Sequence, residues 1–241
     1  MLEGDLTAAE RRRISLHAAI NQGRHFATRR KPEHDHNPAA LIFEIPDTPL
    51  ATAALSEARA TLSPAILAHS LRCWQWASAL ARHDKLTPDP EALFVACALH
   101  DIALGSAPDD HIGCFALLGA VTARSFVRDH GMGSIADTVA AAIARHMDSC
   151  TPKKFGPEAT ALHDAAHLDV VGLRINELDP SFIRDVIQEH PRDQFSREFG
   201  TLMRYERRVR PRSAAATLWK SGMRIPIALN PLDRRHTPRP E

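Results

Sequence analysis

The chain has 241 residues, which is enough to bury one sizeable core and gives no reason to divide it into several large domains. Its 30 Lys and Arg residues balance 29 Asp and Glu residues, and the net charge of +1 argues against nucleic acid or a membrane surface as a partner. The four cysteines form no close pair, and no apolar stretch approaches the ~20 residues that span a bilayer, so we expect a cytoplasmic protein without a disulfide framework, secretory signal or membrane anchor.

Apolar residues recur at intervals of three and four rather than two along the long segments, which predicts an all-α chain. The first helix is predicted from Ala8 to Gln22, with Thr7 as its cap, and a polar connection rich in His and Arg follows it. We therefore expect an N-terminal helix and polar linker over residues 1–41, a single helical-bundle domain over 42–232, and a flexible tail over 233–241.

Within the domain, start and stop signals mark further helices before a Pro- and Arg-rich tail that starts at Pro226. In chain order they are Ser63 with Pro64 at a helix start, the apolar run "LFVACALHD", Gly131 at a helix end, Ser134 with Asp137 as a capping box, and a helix from about Glu158 to Leu173.

Helical periodicity turns several polar side chains toward the core. His69 occupies a position in the apolar stripe of its helix, His146 shares the apolar face of its own, and Asp169 stands where a hydrophobic residue is expected. His100 and Asp101 end the apolar run that begins at Leu93. Taken singly, an inward His more often donates to a backbone carbonyl, and Asp169 could simply accept from a neighbouring Arg.

Four His-Asp dipeptides occur, so the dipeptide alone selects nothing, and its context must decide. The pairs are His34-Asp35 in the polar linker, His83-Asp84 before a Thr-Pro loop, His100-Asp101 after the apolar run, and His163-Asp164 on a helix. The first two are expected in solvent. The third is the best placed for a buried site, although the fourth is not excluded.

Two imidazoles and two carboxylates brought together from three helices would repel one another or stay unsatisfied without a cation. We therefore predict one divalent metal ion, with Zn, Fe, Mn, Co and Mg all compatible and Zn or Fe favoured.

The order His69, His100-Asp101, Asp169 resembles the signature of the HD superfamily of metal-dependent hydrolases, an all-helical fold. Further segments resemble its cyanamide hydratase-like branch in order and approximate spacing, over about residues 42–232. They are "IPDTPLA", "LAHSLRCW", "ALHDIALG", "FALLGAVTA", "AAIARH" and "LDVVGLR".

This resemblance implies that His69, His100, Asp101 and Asp169 hold one metal. Three positions depart from patterns in the superfamily. Leu104 replaces the Lys that some phosphohydrolases carry three residues after the His-Asp pair, Phe115 fills the place of a further His in dinuclear members, and Ala116 replaces an acidic residue common in the hydratase branch. The metal site is therefore expected to be mononuclear, and the substrate stays open.

The catalytic residues predicted on this basis are Asp101 at the metal, His146 and Arg72. His146 would donate a proton or orient the substrate, or else support the site from behind. Arg72 would bind an anionic substrate group, or else hold a metal carboxylate in place by a salt bridge. The basic segment from Met203 to Arg212 is expected to be a solvated helix face.

The leading functional hypothesis is a metal-dependent hydrolase or hydratase that adds water to a small molecule. The alternatives are a phosphohydrolase of nucleotides or other phosphoesters, and a metal-bearing sensor without catalysis. The sequence predicts a small-molecule substrate and leaves homo-oligomer formation open.

Overall fold

The computed structural model describes residues 1–28 and 42–234, and within these ranges the chain is helical. The helices are α1 (Ala8–Thr28), α2 (Pro49–Thr61), α3 (Pro64–His83), α4 (Pro90–Leu99), α5 (Phe115–Asp129), α6 (Gly133–Arg145), α7 (Pro157–Val171), α8 (Pro180–Glu189), α9 (Phe195–Val209), α10 (Ala214–Lys220), α11 (Arg224–Ala228) and α12 (Pro231–Arg234). The β-pairing in this part of the chain is an isolated bridge between Glu3 and Ile112. The predicted all-α class is confirmed.

Several helices start at the same local signal, a capping side chain followed by proline. The capping oxygen accepts a hydrogen bond from a backbone N–H of the first turn, and the proline occupies a position whose N–H has no helical partner. Each such cap typically stabilises a helix by about 1 kcal/mol. The pairs are Thr48-Pro49, Ser63-Pro64, Asp89-Pro90 and Asp179-Pro180.

Two predicted helix boundaries differ from the structure. Helix α1 continues past Gln22 to Thr28, although Thr7 caps its first turn as expected. Helix α6 begins at Gly133 without a side-chain cap, because Asp137 pairs with Arg124 of α5 at 3.0 Å rather than closing a capping box with Ser134. The predicted linker beyond Thr28, including His34-Asp35, lies outside the described residues, as does the tail after residue 234.

Helix α4 lies at the centre of the larger hydrophobic core. Residues 92–99 are all buried, and the helix packs against α2, α3, α6 and α7. A helix that is apolar on all sides is stable only when other elements surround it. Its position carries His100 and Asp101, which directly follow it, into the interior.

A second apolar cluster lies beside the first and is built around Phe115, Phe195, Phe199 and Met203. Helix α1 adds Ala18 to this cluster and packs against α10. Within the described ranges, no helix combines the length and the apolar character that crossing a membrane would require.

Two charged residues of the basic segment, one on α9 and one directly after it, are not solvated, contrary to the sequence prediction. Glu206 and Arg210 are buried and form an ion pair at 2.8 Å. Glu206 also accepts from the backbone N–H of Gly105, and Arg210 donates to the carbonyl of Ala107. This pair therefore fastens the loop that follows His100 and Asp101.

Candidate metal centre

Three buried histidines have the same hydrogen-bonding pattern. Nδ1 of His69 lies 2.7 Å from Asp169 Oδ2, Nδ1 of His100 lies 2.8 Å from the carbonyl of Cys97, and Nδ1 of His146 lies 2.7 Å from the carbonyl of Ile143. Because carboxylates and carbonyls only accept, each Nδ1 carries the ring proton. Each Nε2 is consequently left with a lone pair.

These lone pairs point to a common region. Nε2 of His69 lies 3.2 Å from Nε2 of His100, and Asp101 Oδ2 lies 3.7 Å and 3.5 Å from these two nitrogens. On the other side of the same carboxylate, Asp101 Oδ1 lies 3.6 Å from Nε2 of His146. The Asp101 carboxylate therefore faces lone pairs on three imidazoles, with no proton between them.

Among the residues that the structure describes, two of these acceptors have no hydrogen-bond partner. Asp101 Oδ2 and His146 Nε2 are buried and unpaired, and each such group costs about 1–3 kcal/mol in a protein interior. A divalent cation removes that cost. Nitrogen ligands at 2.0–2.1 Å from a tetrahedral zinc ion are about 3.3–3.4 Å apart, and the spacings seen here run from 3.2 to 3.7 Å. The residues present therefore fit a metal.

Backbone electrostatics also favours a cation at this point. His100 immediately follows the last residue of α4, and His146 immediately follows the last residue of α6. The carboxyl ends of helices carry partial negative charge from their unpaired carbonyls, and they attract positive charge.

The imidazoles of His69 and His146 are held in the neutral form that a metal requires. Burial lowers the pKa of His69 below its usual value, although the Asp169 carboxylate opposes the shift. Burial, helped by the proximity of His100, lowers the pKa of His146 to about 3.

Cys73 also lies near His69, with Sγ 3.7 Å from Nδ1. Burial, together with the Asp169 carboxylate, raises the pKa of this thiol well above its usual value. Only the thiolate binds metals strongly, so Cys73 is a poor ligand here.

Asp169, predicted from the sequence as the fourth ligand, is placed behind His69 rather than beside the other three. Its carboxylate accepts from five donors: Nδ1 of His69, Nε and Nη2 of Arg72, Nη1 of Arg192 and Nε1 of Trp76. A carboxylate offers about four lone pairs. In this arrangement none is left for a metal, and the carboxylate instead fixes the orientation of His69.

The charge balance around Asp169 supports this role. Burial alone would raise the pKa of Asp169, but the guanidinium groups of Arg72 and Arg192 outweigh it and hold the pKa well below its usual range. The structure thus places Arg72 in the second role considered for it, a salt bridge. The rest of its guanidinium donates to the carbonyls of His190 and Pro191.

A narrow cavity opens in front of the metal-facing groups. It is lined by His69, His100, Asp101, His146, Met147, Ala166, His167, Val170, Phe199 and Met223. It offers only about 10 Å³ to the centre of a water-sized molecule, roughly the space of one water. Met147 and Met223 of its wall belong to the second apolar cluster.

The other His-Asp pairs have different surroundings. His83 is half exposed, and Asp84 pairs with Arg174 at 2.8 Å. Asp164 is buried, where it binds His163, Thr151 and Arg174. These donors satisfy Asp164, and it faces no converging set of lone pairs.

Comparison with known proteins agrees with this geometry. Residues 66–171, which include His69, His100, Asp101 and Asp169, match the family model of the HD domain. This part of the chain is therefore similar to an HD domain. Over 159 residues it is 29% identical to the cyanamide hydratases DDI2 and DDI3 of Saccharomyces cerevisiae, in alignments that cover 62% of this chain and 69% of each relative. Both comparisons favour the metal-dependent hydrolase or hydratase that the sequence predicts.

Several residues around this site were not identified by the prediction from the sequence. Arg192 follows α8 in a loop, Asn230 lies in the segment predicted as a tail, and both bind Asp169. Asp233, the first residue of the predicted flexible tail, accepts from Arg192. Phe195 stacks on His69 at 4.7 Å between ring centres. None of these positions belongs to a periodic pattern that would have drawn attention to it.

Proposed function

We propose that this protein hydrates a small, uncharged nitrile of the cyanamide type, with one divalent ion held by His69, His100, Asp101 and His146. The observation that carries the proposal is the Asp101 carboxylate facing three imidazole lone pairs beside a narrow cavity, with Asp101 Oδ2 and His146 Nε2 unpaired among the described residues. This set keeps three ligands predicted from the sequence and exchanges Asp169 for His146.

When bound, a divalent cation lowers the pKa of a neighbouring water and polarises an electrophile beside it. The protein supplies the orientation. Asp169 steadies His69, the carbonyls of Cys97 and Ile143 steady His100 and His146, and outer partners of this kind contribute about 10–100-fold to metal affinity or activity.

The cavity walls favour an uncharged substrate. None of the residues that line the cavity is Lys or Arg. Arg72 and Arg192, the nearest buried cations, are held by Asp169. Phosphate recognition normally uses such cations, so the alternative of a phosphohydrolase receives less support.

The reaction balances without another reactant. The oxygen of one water bonds to the nitrile carbon, and the two water protons end on the nitrogen that was triply bonded. Cyanamide thereby becomes urea. Apolar wall residues such as Val170 and Phe199 keep other water molecules away from the reacting carbon.

The donor set favours zinc or iron as the native metal. Three imidazole nitrogens and one carboxylate oxygen suit borderline cations, whereas Mg²⁺ prefers oxygen ligands throughout. A small neutral substrate requires no second metal, and Phe115 packs against His146 with ring centres 5.6 Å apart on that side of the site.

The test combines metal analysis with two product assays on the purified protein. We expect about one equivalent of zinc or iron per chain, urea formation from cyanamide, and no phosphate release from a panel of nucleotides with Mn²⁺, Co²⁺ or Mg²⁺. Phosphate release without urea would overturn the proposal in favour of a phosphohydrolase. Ligand-induced thermal stabilisation without turnover of any substrate would favour a sensor.

A matched pair of variants links activity to this site. His100→Ala removes the histidine of the buried His-Asp pair, and His83→Ala removes that of the half-exposed pair. We expect His100→Ala to lose the metal and the activity, while His83→Ala keeps both.

A further inference from the structure

His167 is a cavity residue that neither the metal set nor its supports explain. It lies on α7, on the wall that also contains Ala166 and Val170. Its Nδ1 lies 2.9 Å from the backbone carbonyl of His163, one helical turn earlier, and its ring stacks on that of His163 with centres 4.1 Å apart. The ring is therefore fixed in both position and tautomer.

The tautomer determines what His167 can offer. The carbonyl of His163 only accepts, so Nδ1 of His167 carries the proton and Nε2 carries a lone pair. In the part of the chain that the structure describes, no protein group hydrogen-bonds to this Nε2. The other polar groups of the wall, the imidazoles and carboxylate of the metal set, are acceptors committed to the cation.

We infer that Nε2 of His167 accepts a hydrogen bond from an N–H group of the substrate and so selects a nitrile that bears an amino group. The inference rests on the proposed hydratase function and deepens it by naming the part of the substrate that is recognised. An amino group conjugated to a nitrile is a good donor and a poor acceptor. His167 is the acceptor that the metal set leaves available for it.

Cyanamide and acetonitrile provide the direct comparison, because they differ only in an amino group against a methyl group. We expect His167→Leu to lower kcat/KM for cyanamide by about tenfold or more, the effect of one lost hydrogen bond in a buried site, and to change that for acetonitrile by less than about threefold. His167→Gln, which retains an acceptor oxygen, should recover part of the loss on cyanamide. Equal losses on both nitriles, or no loss on cyanamide, would overturn the inference.

Matched controls separate recognition from folding. His130 also donates its Nδ1 to the carbonyl one turn earlier, at 2.8 Å from Phe126, but lies on the surface. His130→Leu should therefore leave both nitriles unaffected. Metal content and helical circular dichroism should be the same in all variants.

A binding measurement distinguishes this inference from the proposed function. Ligand-observed NMR on metal-free protein, which detects weak binding without turnover, should show tighter binding of cyanamide than of acetonitrile, with the difference lost in His167→Leu. If that difference is seen but urea is not formed, the recognition role stands and the hydratase proposal fails. If urea is formed but binding and turnover do not depend on His167, the hydratase proposal stands and the recognition role fails.

Discussion

Two buried carboxylates flank His69, and their surroundings are opposite. Asp101 is 1% exposed, faces three imidazole lone pairs, and has one oxygen without any hydrogen-bond partner. Asp169 is 0% exposed and accepts from five donors, among them two guanidinium groups. Both residues were predicted from the sequence as metal ligands.

The difference shows how to separate a ligand from its support. A buried carboxylate with no donor around it is stable only beside a cation. When donors surround the carboxylate, their hydrogen bonds already offset the cost of burying its charge. On the proposed function, the first would bind the metal and the second would support a metal-bound histidine.

The largest effect is expected when the charge of Asp101 is removed, which tests whether Asp101 and Asp169 have different roles. Asp101→Asn should lose metal to below roughly a tenth of an equivalent, with activity lost in parallel. In the metal-free state it should raise the free energy of unfolding by about 1–3 kcal/mol, because the unpaired charge disappears and the amide can donate to an imidazole nitrogen. Metal analysis and urea denaturation measure the two effects. A metal-free variant less stable than the metal-free parent would show that Asp101 is already satisfied by protein groups.

The same substitution at Asp169 should act on the fold. Asp169→Asn leaves Arg72 and Arg192 buried without a counter-charge, and the free energy of unfolding of the metal-free protein should fall by about 3–5 kcal/mol. Metal affinity should weaken by about 10–100-fold, since His69 loses its orienting partner.

The opposite outcome at Asp169 is equally informative. If Asp169→Asn abolishes metal binding entirely while the stability of the metal-free protein is unchanged, Asp169 returns to the ligand set that was predicted from the sequence. Equilibrium unfolding and metal titration on one preparation distinguish the two roles.

Asp164 is a third buried carboxylate, and it accepts hydrogen bonds from three residues. Burial opposes its ionisation, but His163, Thr151 and Arg174 outweigh that cost and lower the pKa of Asp164 from 3.8 to about 2. A carboxylate with a depressed pKa stabilises the fold fully above its unfolded pKa and loses that effect as the pH falls through its folded pKa. A shift of this size corresponds to about 2 kcal/mol.

Asp164→Asn should therefore be less stable than the parent above pH 4, and the difference should shrink as the pH falls toward 2. Urea unfolding midpoints at a series of pH values measure it. A stability difference that does not vary over this range would mean that Asp164 contributes through packing rather than through its charge.

Much of the site could be predicted because it lies on regular helices. His69 and His146 occupy apolar faces with helical periodicity, and the capped start at Ser63 and Pro64 fixes the register of α3. Four of the residues that meet at the centre, His69, His100, Asp101 and His146, were therefore identified from spacing or from the resemblance to the HD superfamily, although His146 was given a different role.

The donors around Asp169, on which the proposed exchange of roles with His146 rests, could not all be predicted, because some come from loops. Arg192 comes from the connection between α8 and α9, and Asn230 comes from the turn before α12. Neither residue belongs to a helix whose apolar periodicity would indicate where its side chain points. Arg192 donates to the carboxylate of Asp169, whereas Asn230 donates to its backbone carbonyl. The pairing of Glu206 with Arg210 was missed for a similar reason, since the loop that buries them is distant in the sequence.

The contacts of Asn230 and Asp233 also bear on the order in which the protein matures. A growing polypeptide exposes His69, His100 and Asp101 to the cell well before Asn230 and Asp233 leave the ribosome, since synthesis runs from the amino end. Arg192 is fastened to Asp233, and the carbonyl of Asp169 to Asn230, only once those last helices emerge. The contacts that support Asp169 behind His69 can thus form only after His69, His100 and Asp101 have been synthesised.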